Sequence, residues 1–75
     1  MYTRIRNLRE DKDLSQKAMA AILNVAQTTY SDYELGKINI PVEVLKNLAQ
    51  FHKTSIDYLL EMTDNPKPYE RKRIK

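Results

Sequence analysis

The segment from residue 16 to residue 35 constrains the fold more than any other part of the chain, because it holds two short helical patterns joined by one reversal. Ser15 precedes the first pattern, and its hydroxyl can accept a backbone N–H, which is typical of a helix N-cap. Asn24 ends the pattern, since asparagine enters the left-handed region at low cost and can stand where glycine is otherwise expected. The sequence therefore predicts two helices with a tight turn between them.

The apolar residues of this segment recur at the spacing of a buried helix face. The first of the two helices is expected to bury Met19, Ala20, Ile22 and Leu23. Ala20 lies where the helices cross most closely, and its small side chain permits that approach. The second helix, residues 27–35, directs Tyr30 and Tyr33 inward. Gly36, the one glycine of the chain, suits the residue that follows a helix.

Three further helices are predicted around this pair. Apolar residues three positions apart indicate an amphipathic helix over residues 3–12. Pro41 suits the first turn of a fourth helix, and Thr54 or Ser55 caps a fifth that ends near Thr63. With one Gly and three Pro, the chain lacks the turn signals of an all-β fold. The expectation is a single all-α domain of five helices.

The composition excludes several kinds of site. Cysteine is absent, so disulfides and thiolate metal sites are excluded, and the single histidine, His52, cannot supply a multi-histidine site. His52 lies near the end of the fourth helix, where a solvated or capping side chain is expected. No paired acid and base and no glycine-rich phosphate loop can be found. We therefore expect no enzyme activity, no metal, no cofactor and no small-molecule ligand.

Charge divides the chain into two parts. Residues 1–64 hold eight Lys/Arg and nine Asp/Glu, whereas residues 65–75 hold five and one, and the net charge is +3. We predict a helical domain over residues 1–64 and a flexible basic tail over residues 65–75. No apolar run approaches the roughly 20 residues that span a bilayer, and the first residues do not form a signal-peptide core. A cytoplasmic protein without membrane contact is expected.

Four stretches of the chain carry a family resemblance, and in chain order they read RIRNLREDKDLSQ, QKAMAAILNVAQTTYSDYEL, ELGK and IPVEVLKNLAQFHKTSIDYLLEMTDNPKPY. Over residues 3–69 the chain resembles the Cro/repressor-type (lambda-repressor-like, XRE) helix-turn-helix proteins. The resemblance implies a compact five-helix fold with the helix-turn-helix at helices 2 and 3. It also implies a sequence-specific regulator of bacterial or phage origin, a repressor that binds an inverted repeat in double-stranded DNA, associates with the nucleoid when bound, and forms a homodimer through its C-terminal helices.

The resemblance also implies roles for individual residues. The second helix of the motif would lie in the major groove, with base contacts from Gln27, Thr28 and Asp32. Contacts with the DNA backbone are expected from polar residues around that helix, namely Gln16, Thr29, Ser31, Lys37 and Asn39. Arg9 and Glu34 look like the structural ion pair of the family.

Two departures from the family pattern leave alternatives open. Ala26 stands where a Ser or Thr commonly caps the recognition helix, so that helix start lacks a side-chain cap. Asp32 stands where a basic or amide residue is frequent, and it could read a base, reject wrong sites or face solvent. The domain is also near neutral, which is weak electrostatic support for DNA binding. The alternative function is an antitoxin-like or adaptor protein that uses the same fold mainly to bind another protein.

Overall fold

The computed structural model describes residues 1–68, which contain helices and no strand. The five helices are α1 (Thr3–Asp11), α2 (Gln16–Leu23), α3 (Gln27–Leu35), α4 (Val42–Phe51) and α5 (Ile56–Leu59). The predicted all-α fold is therefore confirmed. The fifth helix is shorter than expected: Glu61 adopts a left-handed φ of 63°, so the chain turns before it reaches Thr63.

Local features of the chain explain where α2 begins and where α2 and α3 end. The Ser15 hydroxyl accepts a first-turn N–H of α2 at 3.0 Å, as the sequence predicts. Asn24 ends α2 with φ 58° and ψ 44°, and Gly36 ends α3 with φ 74°. At Gly36 an added Cβ would also lie 3.1 Å from the backbone nitrogen of Met1, so a larger residue would meet both strain and crowding. Ser55, and not the preceding threonine, caps α5.

The core is built from apolar side chains of all five helices. The buried members are Ile5, Met19, Ala20, Leu23, Tyr30, Tyr33, Leu48, Ala49 and Leu59. Helix α2 packs against α3 and α4, while α1 contacts α3 and α5. Ile22 is 47% exposed, so its predicted burial is wrong. It lies about 100° around the helix from Leu23, which places it at the edge of the buried face.

His52 also differs from the sequence prediction. Its side chain is buried (8% exposed) instead of solvated, and its two ring nitrogens have no hydrogen-bond partner within residues 1–68. His52 is the C-cap residue of α4, and the chain turns at Lys53 (φ 53°) immediately after it. The Phe51 ring meets it edge-on, with the centroids 5.0 Å apart. Burial lowers the pKa of His52 from 6.5 to about 4, and the charge of Lys12 acts in the same direction.

The residues after α5 are held against the domain by polar contacts from Arg4 and Thr54. The Arg4 guanidinium donates to the carbonyls of Tyr58 (3.2 Å) and Thr63 (2.7 Å). The Thr54 hydroxyl donates to the carbonyl of Pro66 at 2.7 Å. The described chain therefore has tertiary contacts up to Pro66, while residues 69–75 of the predicted tail lie outside the described residues. Among residues 1–68, no helix has the length and apolar character needed to cross a membrane.

Candidate nucleic-acid interface

Helix α3 presents a polar face to solvent and an aromatic face to the core. Tyr30 and Tyr33 are buried at 0% and 5% exposure, as predicted from their spacing. Gln27 and Thr28, in the first turn, are exposed. Three further polar side chains of this helix are half-buried, namely Thr29, Ser31 and Asp32. The amide and hydroxyl groups at the start of α3 are thus free to meet another surface, and the aromatic rings fix the orientation of the helix.

The first turn of α3 begins without a side-chain cap. Ala26 occupies the N-cap position with φ −67° and ψ 148°, close to the values of φ −74° and ψ 163° at Ser15. The backbone at Ala26 thus has capping geometry, but its side chain has no acceptor. The first N–H groups of a helix have no partner within the helix. At α3 these groups remain available to water or to a bound anion.

Behind this surface lies a buried polar cluster, here called the Glu34 network. Arg9 and Glu34 form a two-point salt bridge, with Nε to Oε2 at 2.7 Å and Nη2 to Oε1 at 3.3 Å. The Tyr30 hydroxyl donates to Oε2 of the same carboxylate. The Gln16 amide donates to Oε1 at 3.2 Å. The third guanidinium nitrogen, Nη1, donates to the carbonyl of Leu14 at 2.8 Å. The network therefore ties α1, the start of α2 and the C-terminal half of α3 together.

The ionisation states within the Glu34 network follow from these contacts. Burial by itself would raise the pKa of Glu34, but the hydrogen bonds from Arg9, Tyr30 and Gln16 hold it below its ordinary value. The hydrogen bond to Glu34 raises the pKa of Arg9. Burial, and then the hydrogen bond to the carboxylate, raises the pKa of Tyr30. At neutral pH the cluster therefore holds one positive and one negative charge.

The loop after α3 carries the remaining predicted residues. Lys37 follows the helix directly, and its backbone N–H donates to the carbonyl of Asp32 at 3.0 Å. Lys37 and Asn39 are both exposed. The backbone of Lys37 is therefore fixed at the C-terminal end of α3, while the side chains of Lys37 and Asn39 are exposed to solvent.

Lys17 is an exposed basic residue that sequence reasoning did not single out. It is the only Lys or Arg in α2 and α3, and it lies in the first turn of α2 beside Gln16. A single lysine within a helical sequence pattern does not by itself indicate a DNA contact. Its position at a helix N-terminus, where the dipole favours anions, is the feature that could have identified it.

Comparison with protein families places these helices in a known group. The helix-turn-helix family model matches residues 5–59, which extend from α1 to the end of α5. The chain belongs to this helix-turn-helix family. The predicted family and its five-helix fold are thereby confirmed, and α2 and α3 form the helix-turn-helix.

Curated relatives of this helix-turn-helix protein are bacterial and phage regulators. YobD of Bacillus subtilis (strain 168), an HTH-type transcriptional regulator, is 36% identical over 73 residues, which cover 96% of this chain and 65% of YobD. The cryptic phage CTXphi transcriptional repressor RstR of Vibrio cholerae is 34% identical over 58 residues, which cover 77% of this chain and 52% of RstR. The chain thus spans between about half and about two thirds of the length of these relatives. No solved structure matches it.

Proposed function

We propose that this helix-turn-helix chain is a sequence-specific, DNA-binding transcriptional repressor that binds an inverted-repeat operator as a dimer. The observation that carries the proposal is the polar first turn of α3, where Gln27 and Thr28 are exposed while Tyr30 and Tyr33 of the same helix are buried. In helix-turn-helix proteins the second helix lies in the major groove and its N-terminal residues contact base edges. The repressor role is supported by RstR, which is named as a transcriptional repressor.

Sequence preference would come from three side chains of α3. Gln27 has the amide that pairs bidentately with adenine, and Thr28 has a methyl group suited to the thymine methyl. Asp32 can only accept hydrogen bonds when ionised, so the matching base edge is the amino group of cytosine. Because Asp32 is half-buried, its carboxylate is more restricted than the two first-turn side chains. It would therefore discriminate against bases that present only acceptors.

The DNA backbone would be held by polar groups on both sides of α3. These are Gln16 at the start of α2, Thr29 and Ser31 on α3, and Lys37 and Asn39 in the following loop. Contacts of this kind fix the register of the protein on the duplex and carry no sequence information directly. Lys17 would join this set, because it lies at the same helix N-terminus as Gln16.

Dimerisation is proposed through the C-terminal part of the domain. Met62, directly after α5, is 73% exposed, and Ile56, Tyr58 and Leu60 nearby are half-buried. Covering such apolar side chains favours association, and a two-fold dimer would pair this surface with itself. Two such domains would present their α3 helices to half-sites about one helical turn (~10 bp) apart.

Selection of bound duplexes from a randomised DNA pool tests the proposal directly. At about 150 mM salt non-specific binding is weak, with dissociation constants of about 10⁻⁴ to 10⁻⁶ M. Enrichment of a two-fold symmetric site is the expected result, and it would supply the operator at the same time. A pool that stays random would contradict the proposal and direct attention to a protein partner, as an antitoxin-like or adaptor function requires.

A further inference from the structure

The Gln16 amide, which is proposed above to contact the DNA backbone, is also engaged inside the protein. Gln16 is the first residue of α2 and is half-buried, and its Nε2 donates to Oε1 of Glu34 at 3.2 Å. Glu34 is 2% exposed and belongs to another helix, 18 positions further along the chain. A buried side chain with fixed partners therefore holds one end of the Gln16 amide.

The chemistry of the partner decides which end of the amide is held. An ionised carboxylate has only acceptors, so it can bind the NH₂ group of Gln16 and cannot bind its oxygen. The two-point salt bridge with Arg9 keeps Glu34 ionised and holds both of its carboxylate oxygens in place. The flipped amide orientation is thus disfavoured. One N–H of Gln16 is used by Glu34, and the second remains as a donor at the start of α2.

The surroundings of that second donor suit a phosphate oxygen. Ser15 occupies the N–H of Ala18, while the N–H groups of Gln16 and Lys17 have no partner within the described residues. The positive end of the helix dipole favours an anion there. The charge of Glu34 would oppose an anion, but Arg9 neutralises it across a 2.7 Å contact.

We propose that Glu34 is a positioning residue for DNA binding: it orients the Gln16 amide so that one N–H is presented to a backbone phosphate before the DNA arrives. This inference rests on the proposed DNA-binding function. A preoriented side chain loses less conformational freedom on binding, so its hydrogen bond contributes more to affinity. The Glu34 network then acts on the DNA contact through Gln16, in addition to joining three helices.

A double-mutant cycle separates this role from a purely structural one. The starting variant replaces the buried ion pair with two apolar residues, Arg9→Met/Glu34→Met, an exchange that proteins often tolerate without loss of stability. Dissociation constants are measured on the selected operator at about 150 mM salt, with and without Gln16→Ala. We expect Gln16→Ala to weaken binding about tenfold in the wild-type background and less than about twofold in the ion-pair variant.

A second readout reports on the contacted phosphate itself. Each phosphate of the operator is replaced in turn by an uncharged methylphosphonate, and the loss of affinity is recorded at each position. The phosphate that depends on Gln16 should lose its sensitivity in Gln16→Ala and in Arg9→Met/Glu34→Met alike. Tyr30→Phe is the matched control, because it perturbs the Glu34 network and leaves both the ion pair and the Gln16 acceptor in place.

The outcomes distinguish this inference from the proposed function. An equal cost of Gln16→Ala in both backgrounds, or no cost in the wild type on a bound operator, overturns the positioning role and leaves the proposed function standing. Absence of any enriched operator removes the proposed function itself. If Arg9→Met/Glu34→Met does not fold, Glu34→Asp replaces it, because this change keeps the charge opposite Arg9 and withdraws the acceptor from Gln16 by one methylene.

Discussion

Protonation of His52 should destabilise the fold in mildly acidic solution. The imidazole is buried, its nitrogens have no partner within residues 1–68, and its pKa is lowered to about 4 by burial and by Lys12. The unfolded chain binds this proton at an ordinary pKa of 6.5. The unfolded state therefore gains a proton first as the pH falls. As far as His52 is concerned, the free energy of unfolding is therefore highest above pH 6.5, and it falls progressively between pH 6.5 and about 4.

The magnitude follows from the two pKa values. One pKa unit corresponds to about 1.4 kcal/mol, so a pKa lowered from 6.5 to about 4 corresponds to about 3 kcal/mol in the free energy of unfolding. About 1 kcal/mol of this should be lost by pH 5.5. Small domains have total stabilities of about 5 to 15 kcal/mol, so the change is a substantial share. Glu34, whose lowered pKa also favours folding at neutral pH, loses its contribution only below about 4.5.

Urea unfolding of the wild type and of His52→Leu, followed by circular dichroism from pH 7.5 to 4.5, measures this effect. His52→Leu removes two buried nitrogens that have no partner within residues 1–68, and it should leave stability at pH 7.5 unchanged or higher. The difference between the two proteins should widen in favour of His52→Leu as the pH falls. Because His52 is the only histidine, its ring carbons also report its titration directly by NMR. Parallel stability curves, or a folded-state pKa near 6.5, would refute the reasoning.

Three further predictions concern the DNA surface, the dimer and the start of α3. Gln27→Ala should cost about 1 to 3 kcal/mol on the selected operator and relax one base position, whereas Lys37→Ala should weaken all sequences similarly; competition binding across operator variants checks both. Met62→Glu should shift sedimentation equilibrium toward monomer, while Val42→Glu, also at an exposed apolar residue, should not; the reverse pattern would place the dimer surface at α4. Ala26→Ser should raise the unfolding free energy by about 1 kcal/mol in urea unfolding, because the backbone there already has capping geometry.

The helix boundaries of the central pair could be predicted because they depend on local chemistry. Ser15 caps α2 with its own hydroxyl, and Asn24 and Gly36 adopt the left-handed conformation that asparagine and glycine enter at low cost. Each of these features involves residues within a few positions along the chain. Tyr30 and Tyr33 were likewise placed correctly, because helical periodicity alone puts them on the buried face.

Features that depend on distant residues could not be predicted from the pattern. His52 is buried although it stands at the end of α4, and no local signal separates this from a solvated helix end. The burial of Ile22 was overestimated, since periodicity does not say how wide the covered face is. The partner of Gln16 is Glu34, 18 residues away, and only the packing of α2 against α3 brings them together. Sequence reasoning assigned Gln16 to the DNA backbone alone.

The distribution of charge decides where non-specific DNA affinity would originate. Residues 1–64 are near neutral, with eight Lys/Arg and nine Asp/Glu, whereas residues 69–75 contain four basic side chains and one acidic one. Phosphate neutralisation supplies most of the affinity for non-cognate DNA, and each lost phosphate contact lowers the salt slope by about 0.9.

Truncation after Pro68 tests whether the tail supplies this affinity. The cut removes the four basic side chains and retains the Pro66 carbonyl that accepts from the buried Thr54 hydroxyl, so stability should not change. If the tail follows the DNA backbone, the slope of log Kd against log salt should fall by up to about 3 to 4. An unchanged slope would show that the tail does not supply this affinity, and Lys17, Lys37 and the N-termini of α2 and α3 would then be the candidates for the phosphate contacts.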